Sequence, residues 1–353
     1  MRENSLRRLF GQDVADFWNT VIAEAGHIRE IRMRIGQPIL IRRTGNDVFL
    51  DEQGFFTDLA ERAHKVTQQE LDDFMMRICQ GSPYAFEDML RQGFLTVPGG
   101  HRIGMAGQTV CEESGRIRTM KHLYYLNIRI SHQIFGVADR ILPDLYEEGE
   151  VRNTLIISPP GAGKTTLLRE LIRKVSDGNP YGRARNVGVV DERSELSGSY
   201  LGCPQNDLGC RTDVLTACPK VQGMFLLLRS MAPEVMAVDE LGGREDVEAL
   251  RTAAVCGCKI LATVHGRDSE DAKKRFPELF ADNLFERFVI PKGRAEDNAN
   301  FWGISDPERQ FGTWIVVSEE IYRQSKGAAD VGQNIGIVSG GNTIRKSGYA
   351  GML

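Results

Sequence analysis

One octapeptide, Ser158-Pro159-Pro160-Gly161-Ala162-Gly163-Lys164-Thr165, constrains this 353-residue chain more than any other stretch. It follows a short apolar run, TLIIS (154–158), and precedes TTLLRELIRKV (165–175). In the second segment Leu167, Leu168, Leu171, Ile172 and Val175 fall on one helical face. A glycine-rich turn between a strand and a helix is the context that a phosphate-binding loop requires. Glycines let successive N–H groups converge on one anion, and the helix N-terminus adds its positive dipole end. Lys164 is placed to reach the β- and γ-phosphates of a nucleotide, and the Thr165 hydroxyl to coordinate Mg²⁺. The usual first glycine is replaced by Ser158, a position that mainly permits the turn, and Pro159-Pro160 stiffens that turn another way. The candidate phosphate-binding residues are therefore Ser158, Pro159, Pro160, Gly161, Ala162, Gly163, Lys164, Thr165 and Thr166.

The pattern on either side of the loop sets the fold class. From Asn153 onward, short apolar runs alternate with helical periods: VGVVD (187–191), an amphipathic stretch around 219–231, VMAVD (235–239), a helix over about 243–256, and KILATVH (259–265). Strands alternating with helices imply crossover units and a mostly parallel sheet buried on both faces, an α/β core. The first ~150 residues mix hairpins and helices instead. Ile31, Met33 and Ile35 alternate with Arg32 and Arg34, and Gly36-Gln37-Pro38 turns the chain back toward Ile39 and Ile41. Thr67 and Glu70 form a capping-box pattern ahead of Leu71, Phe74, Met75 and Ile78. A second hairpin is expected from Phe94 to Met105, turning at Gly99-Gly100. The division that follows is a smaller α+β N-terminal domain (1–136), a connector (137–152), the α/β core (153–292) and a C-terminal extension (293–353). Residues 327–351 hold seven glycines and little periodicity, which reads as a mobile end.

Three further strand ends carry chemistry. Val238 is followed by Asp239-Glu240, so an apolar strand places two carboxylates at the carboxyl edge of a parallel sheet, where open α/β folds bind ligands. Asp239 is the candidate Mg²⁺ ligand and Glu240 the candidate general base for an attacking water. The Asp191–Glu195 cluster after VGVV adds Glu192, and His265 ends the last strand of the series as a candidate sensor of the γ-phosphate.

Composition excludes little beyond this. The net charge of −4 supplies no global field for nucleic acid or an anionic membrane. No aliphatic stretch approaches the ~20 residues of a membrane span, and the N-terminus lacks the apolar region of a signal peptide. The seven cysteines are scattered, with no C-x-x-C pair to suggest zinc, and read as reduced thiols. Arginine outnumbers lysine 33 to 11, a skew that either genome composition or oxyanion binding would produce.

A phosphate loop, an acidic box, a second acidic strand end and a histidine box, in this order, resemble the bacterial secretion ATPases of the type II and type IV systems. More specifically, the segments IREIRMRIGQP (28–38), GGHRIGMAG (99–107), NIRIS (127–131), GCRTDVL (209–215), RSMAPEVMAVDELG (229–242) and TVHG (263–266) resemble the stage III sporulation protein AA family. The resemblance covers roughly residues 5–290, both domains included; the last 60 residues match nothing comparable. It implies a RecA-like P-loop ATPase core that takes ATP with Mg²⁺. It also implies a ring, expected to be a hexamer, with sites at subunit borders. Arginines from the N-terminal domain would then act across the border, with Arg102 and Arg129 as candidates and Arg193 and Arg211 as possibilities from the core side. The implied work is ATP hydrolysis that energises a channel complex between mother cell and forespore. The protein would be cytoplasmic, docked on the membrane through the channel components, with no nucleic acid expected as a partner. Two other readings stay open at this point: a nucleic-acid-stimulated ATPase, and a nucleotide-gated scaffold that barely turns over.

Overall fold

A computed structural model describes residues 2–11, 15–79, 93–267, 269–280, 283–291 and 314–318. The described residues divide into two compact units, one comprising those up to His132 with Gly198–Asn206, the other Gln133–Ser197 and the described residues from Asp207 onward.

The N-terminal unit is a seven-stranded antiparallel sheet with helices α1 (Arg2–Phe10), α2 (Ala15–Ala23) and α3 (Gln68–Ile78). Its strands are β1 (Ile28–Arg34), β2 (Leu40–Arg43), β3 (Asp47–Leu50), β4 (Phe56–Thr57), β5 (Phe94–Val97), β6 (His101–Cys111) and β7 (Ile117–Arg129), ordered β4-β3-β2-β1-β7-β6-β5. Both anticipated hairpins are present, β1–β2 and β5–β6. Period-2 alternation sends Ile31, Met33, Ile41, Leu95, Ile103, Leu126 and Ile128 into one core with Leu6, Phe10, Trp18, Leu71 and Phe74 of the helices. The α3 capping box forms as written: the Thr67 hydroxyl accepts from the Glu70 N–H, and the Glu70 carboxylate accepts from the Thr67 N–H. The outward face carries arginine. Arg42, Glu30, Arg129 and Arg102 follow one another across β2, β1, β7 and β6, with Arg32 and Arg34 further along β1 on the same side.

In the second unit the connector holds a short helix, α4 (Leu142–Leu145), and a small hairpin, β8 (Tyr146–Glu147) with β9 (Glu150–Val151). The core sheet is built from β10 (Thr154–Ser158), β11 (Val187–Asp191), β12 (Thr212–Thr216), β13 (Val235–Val238), β14 (Lys259–His265), β15 (Arg287–Pro291) and β16 (Trp314–Ser318). Their order is β12-β11-β13-β14-β10-β15-β16, parallel throughout except for the antiparallel β15–β16 pair. The phosphate-loop strand β10 thus lies beside β14, and β14 beside β13, which gathers three of the four strand ends singled out in the sequence. Both sheet faces are covered, as a parallel sheet requires. Leu155, Ile157, Met236, Val238, Ile260 and Ala262 pack with α6 (Lys220–Ser230) and α7 (Arg244–Val255), while Ile156, Val187, Val189, Ala237 and Leu261 pack with α5 (Lys164–Asp177). Helix α8 (Ser269–Arg275) follows β14. The glycine-rich segment 327–351 lies outside the described residues.

Candidate nucleotide site

The loop after β10 owes its path to two glycines. Gly161 (φ 78°) and Gly163 (φ 90°) both lie in the left-handed region, where a Cβ is costly, and Gly163 caps α5. The first i→i−4 bond at this helix end runs from the Leu167 N–H to the Gly163 carbonyl. The N–H groups of Lys164, Thr165 and Thr166 therefore have no intrahelical acceptor, the situation that favours an anion. Ser158 is fully buried at the end of β10, in register with His265; its carbonyl accepts the Gly266 N–H at 3.2 Å. Pro159, Pro160 and Ala162 complete the turn.

Lys164, Glu240 and His265 converge. The buried Lys164 Nζ stands 3.3 Å from Glu240 Oε1 and 3.1 Å from His265 Nε2, and His265 Nε2 is 3.0 Å from the same Glu240 oxygen. Arg193 Nη1 donates to the other oxygen, Oε2, at 2.8 Å. Burial would raise the Glu240 pKa, but the Lys164 ammonium, the His265 hydrogen bond and Arg193 outweigh it and hold the carboxyl below the usual glutamate range. His265 Nδ1 is buried with no hydrogen-bond partner among the described residues.

Asp239 sits beneath them. Its Oδ2 accepts from Thr165 Oγ1 at 2.8 Å and its Oδ1 from the Thr263 hydroxyl. Burial pushes the Asp239 carboxyl up, and the hydrogen bonds from Thr263 and Thr165 and the charge of Lys164 pull it partly back. Thr165 Oγ1 beside Asp239 Oδ2 is an all-oxygen pair of the kind that suits a hard divalent cation. These two residues fit Mg²⁺.

The sequence candidates do not all join this cluster. Glu192 is ion-paired with Lys220 at 2.9 Å. Asp191 is spent on its own loop, accepting from the N–H groups of Glu195, Leu196 and Ser197 and from the Ser197 hydroxyl. Arg211 is exposed at the start of β12. Arg102 and Arg129 belong to the N-terminal unit, directly opposite each other on β6 and β7, with the Arg102 guanidinium 4.2 Å from the Phe94 ring centroid. Arg193, a candidate border arginine from the core side in the sequence reading, reaches Glu240 within the same chain. Two contributors were not read from the sequence. Thr263 binds Asp239 and Glu240. Arg169 is buried on α5 and donates to the Leu196 and Glu195 carbonyls at 2.7 and 2.6 Å. A threonine inside an apolar strand and an arginine on a buried helical face were the available signals.

Fold and site together define a class: a RecA-like core of the kind found in secretion ATPases. The solved Legionella pneumophila ATPase DotB matches with a TM-score of 0.51 at 17% identity, over 77% of this chain and 74% of that one. The ADP-bound pilus retraction motor PilT matches with a TM-score of 0.52 at 15% identity, over 78% and 77%. Within that class the chain belongs to the stage III sporulation protein AA family, whose model (Sporulation stage III, protein AA) matches residues 1–310. It is 40% identical over 264 residues to the Stage III sporulation protein AA of Bacillus subtilis (strain 168), covering 74% of this chain and 81% of that protein.

Proposed function

We propose that this protein is an ATP-hydrolysing motor that works as a ring, taken to be a hexamer, and energises a channel complex between mother cell and forespore. The observation that carries the reading is the convergence of Lys164, Asp239, Glu240 and His265 from three adjacent strand ends. Lys164 and the unpaired N–H groups at the start of α5 would bind the β- and γ-phosphates, with Ser158 to Ala162 shaping the loop around them. Thr165 and Asp239 would hold Mg²⁺, which when bound neutralises charge on the transferred phosphoryl group. Glu240, kept ionised by its cationic neighbours, would take the proton from the attacking water. His265, already within reach of Lys164, would register the γ-phosphate. Glu192, on the neighbouring strand end and held by Lys220, would act from the border of the site.

Arg102 and Arg129 would complete a neighbouring subunit's site. What supports this is their place at facing positions of β6 and β7, on the arginine-bearing face of the N-terminal sheet. An arginine supplied in trans is worth ~10³–10⁵ in rate, or about 4–7 kcal/mol of barrier, so assembly itself would switch the enzyme on. Among the described residues no helix is long and apolar enough to cross a membrane, and the proposed location is the cytoplasm, against the membrane-borne channel components. Binding of a fluorescent ATP analogue tests the site itself. Lys164→Ala should abolish binding while leaving circular dichroism unchanged; unaltered affinity would remove the phosphate-loop assignment.

A further inference from the structure

Strand β14 runs Ile260-Leu261-Ala262-Thr263-Val264, apolar and buried but for one hydroxyl, and Thr263 is fully enclosed. A buried hydroxyl is tolerated when it is hydrogen-bonded. Thr263 finds partners on the neighbouring strand end, where it grips three consecutive residues. Its hydroxyl donates to Asp239 Oδ1 and accepts the Glu240 N–H at 2.8 Å, and its carbonyl accepts the Leu241 N–H at 2.9 Å. Glu240 is held at a φ of 55°, a left-handed conformation that non-glycine residues avoid and that persists only where surroundings enforce it. The Asp239 carboxylate, engaged at Oδ1 by Thr263, is left to present Oδ2 to Thr165.

We propose that Thr263 is a positioning residue for hydrolysis, fixing by one hydroxyl both the Asp239 carboxylate that faces Thr165 and the strained backbone that aims Glu240 at Lys164 and His265. The inference rests on the reading of this site as an ATPase. Valine fills the same volume but offers neither donor nor acceptor, leaving Asp239 Oδ1 and the Glu240 N–H less well held.

The test compares wild type, Thr263→Val and Thr263→Ser in the full chain, measuring ADP affinity without metal, the gain in affinity on adding Mg²⁺, and kcat and KM for ATP. Thr263→Val should lower kcat by about 10²-fold, as small misplacements of reacting groups do. It should also lose the Mg²⁺-dependent gain while keeping the metal-free affinity. Thr263→Ser should recover most of both. Should the valine variant not fold, Thr263→Cys, a weak donor of similar size, takes its place with the same expectations. Unchanged kcat in the hydroxyl-less variant, loss of metal-free affinity along with turnover, or a serine variant no better than valine would each overturn the proposal. Failure of the ATPase reading itself looks different, since wild type would then turn over no ATP.

Discussion

At Glu240 and Asp239, two adjacent carboxylates are sent to opposite tasks by what touches them. Glu240 faces Lys164, His265 and Arg193 and stays ionised, while Asp239 lies deeper, where hydroxyls do most of the stabilising. Arg169 extends this buried network. Its guanidinium is lowered in pKa by burial yet drawn upward by Asp191, Asp239 and Glu195, and it holds two carbonyls of the loop after β11. Removing it takes a charged donor from both carbonyls and leaves nearby carboxylates uncompensated. Arg169→Met should therefore lower stability by about 2–5 kcal/mol, measurable by denaturant unfolding. A loss within experimental error would show that the loop is held by other means. Which residues meet was legible in the sequence where they follow a strand end in a known order, as Lys164, Asp239, Glu240 and His265 do. Thr263 and Arg169 were not legible, because their partners lie 24 and 27 residues away and only the sheet order brings them together.

Elements show the same division. The capping box of α3 and the apolar strands β10, β11, β13 and β14 were readable because local chemistry and burial agree. Strand β12 was not: Thr212-Asp213-Val214-Leu215-Thr216 is half-exposed along its length and carries no apolar run. The outer part of the β6–β7 ribbon escaped for a related reason, since apart from Leu123 its residues from Ala106 to Tyr125 are largely open on both faces and little imposes alternation. The start of α3 also carries a pH dependence. His64 lies 2.8 Å from Glu52 and 2.7 Å from Glu70; burial would lower its pKa, but the two carboxylates outweigh it and raise it above 6.5. Glu70 is moved the other way: burial opposes, and Thr67 and His64 hold it below 4.5. The histidine's contribution is fully present below its unfolded value of about 6.5 and is lost as pH rises through the raised folded value. That of Glu70 is present above about 4.5 and lost as pH falls. Thermal melts from about pH 6 to about pH 9 should show a fall in Tm that His64→Gln flattens. Parallel profiles for the two proteins would contradict this.

For the whole molecule, the proposed motor needs two units with different duties. The core would gather most of a nucleotide site from its own strand ends, and the N-terminal sheet would offer arginines to a neighbouring subunit. If sites are shared, defects should complement. Arg102→Ala rings and Glu240→Gln rings should each be inactive, and subunits mixed before assembly should regain part of the turnover, because some borders then combine an intact Arg102 with an intact Glu240. No recovery in verified mixed rings would confine each site to one chain. The most direct measurement of all is steady-state ATP hydrolysis by purified wild type against Glu240→Gln, with nucleotide binding followed in parallel. General-base chemistry at Glu240 predicts that the variant binds ATP as wild type does but turns over about 10²-fold or more slowly. Equal rates would contradict the claim that this site is the engine of a motor.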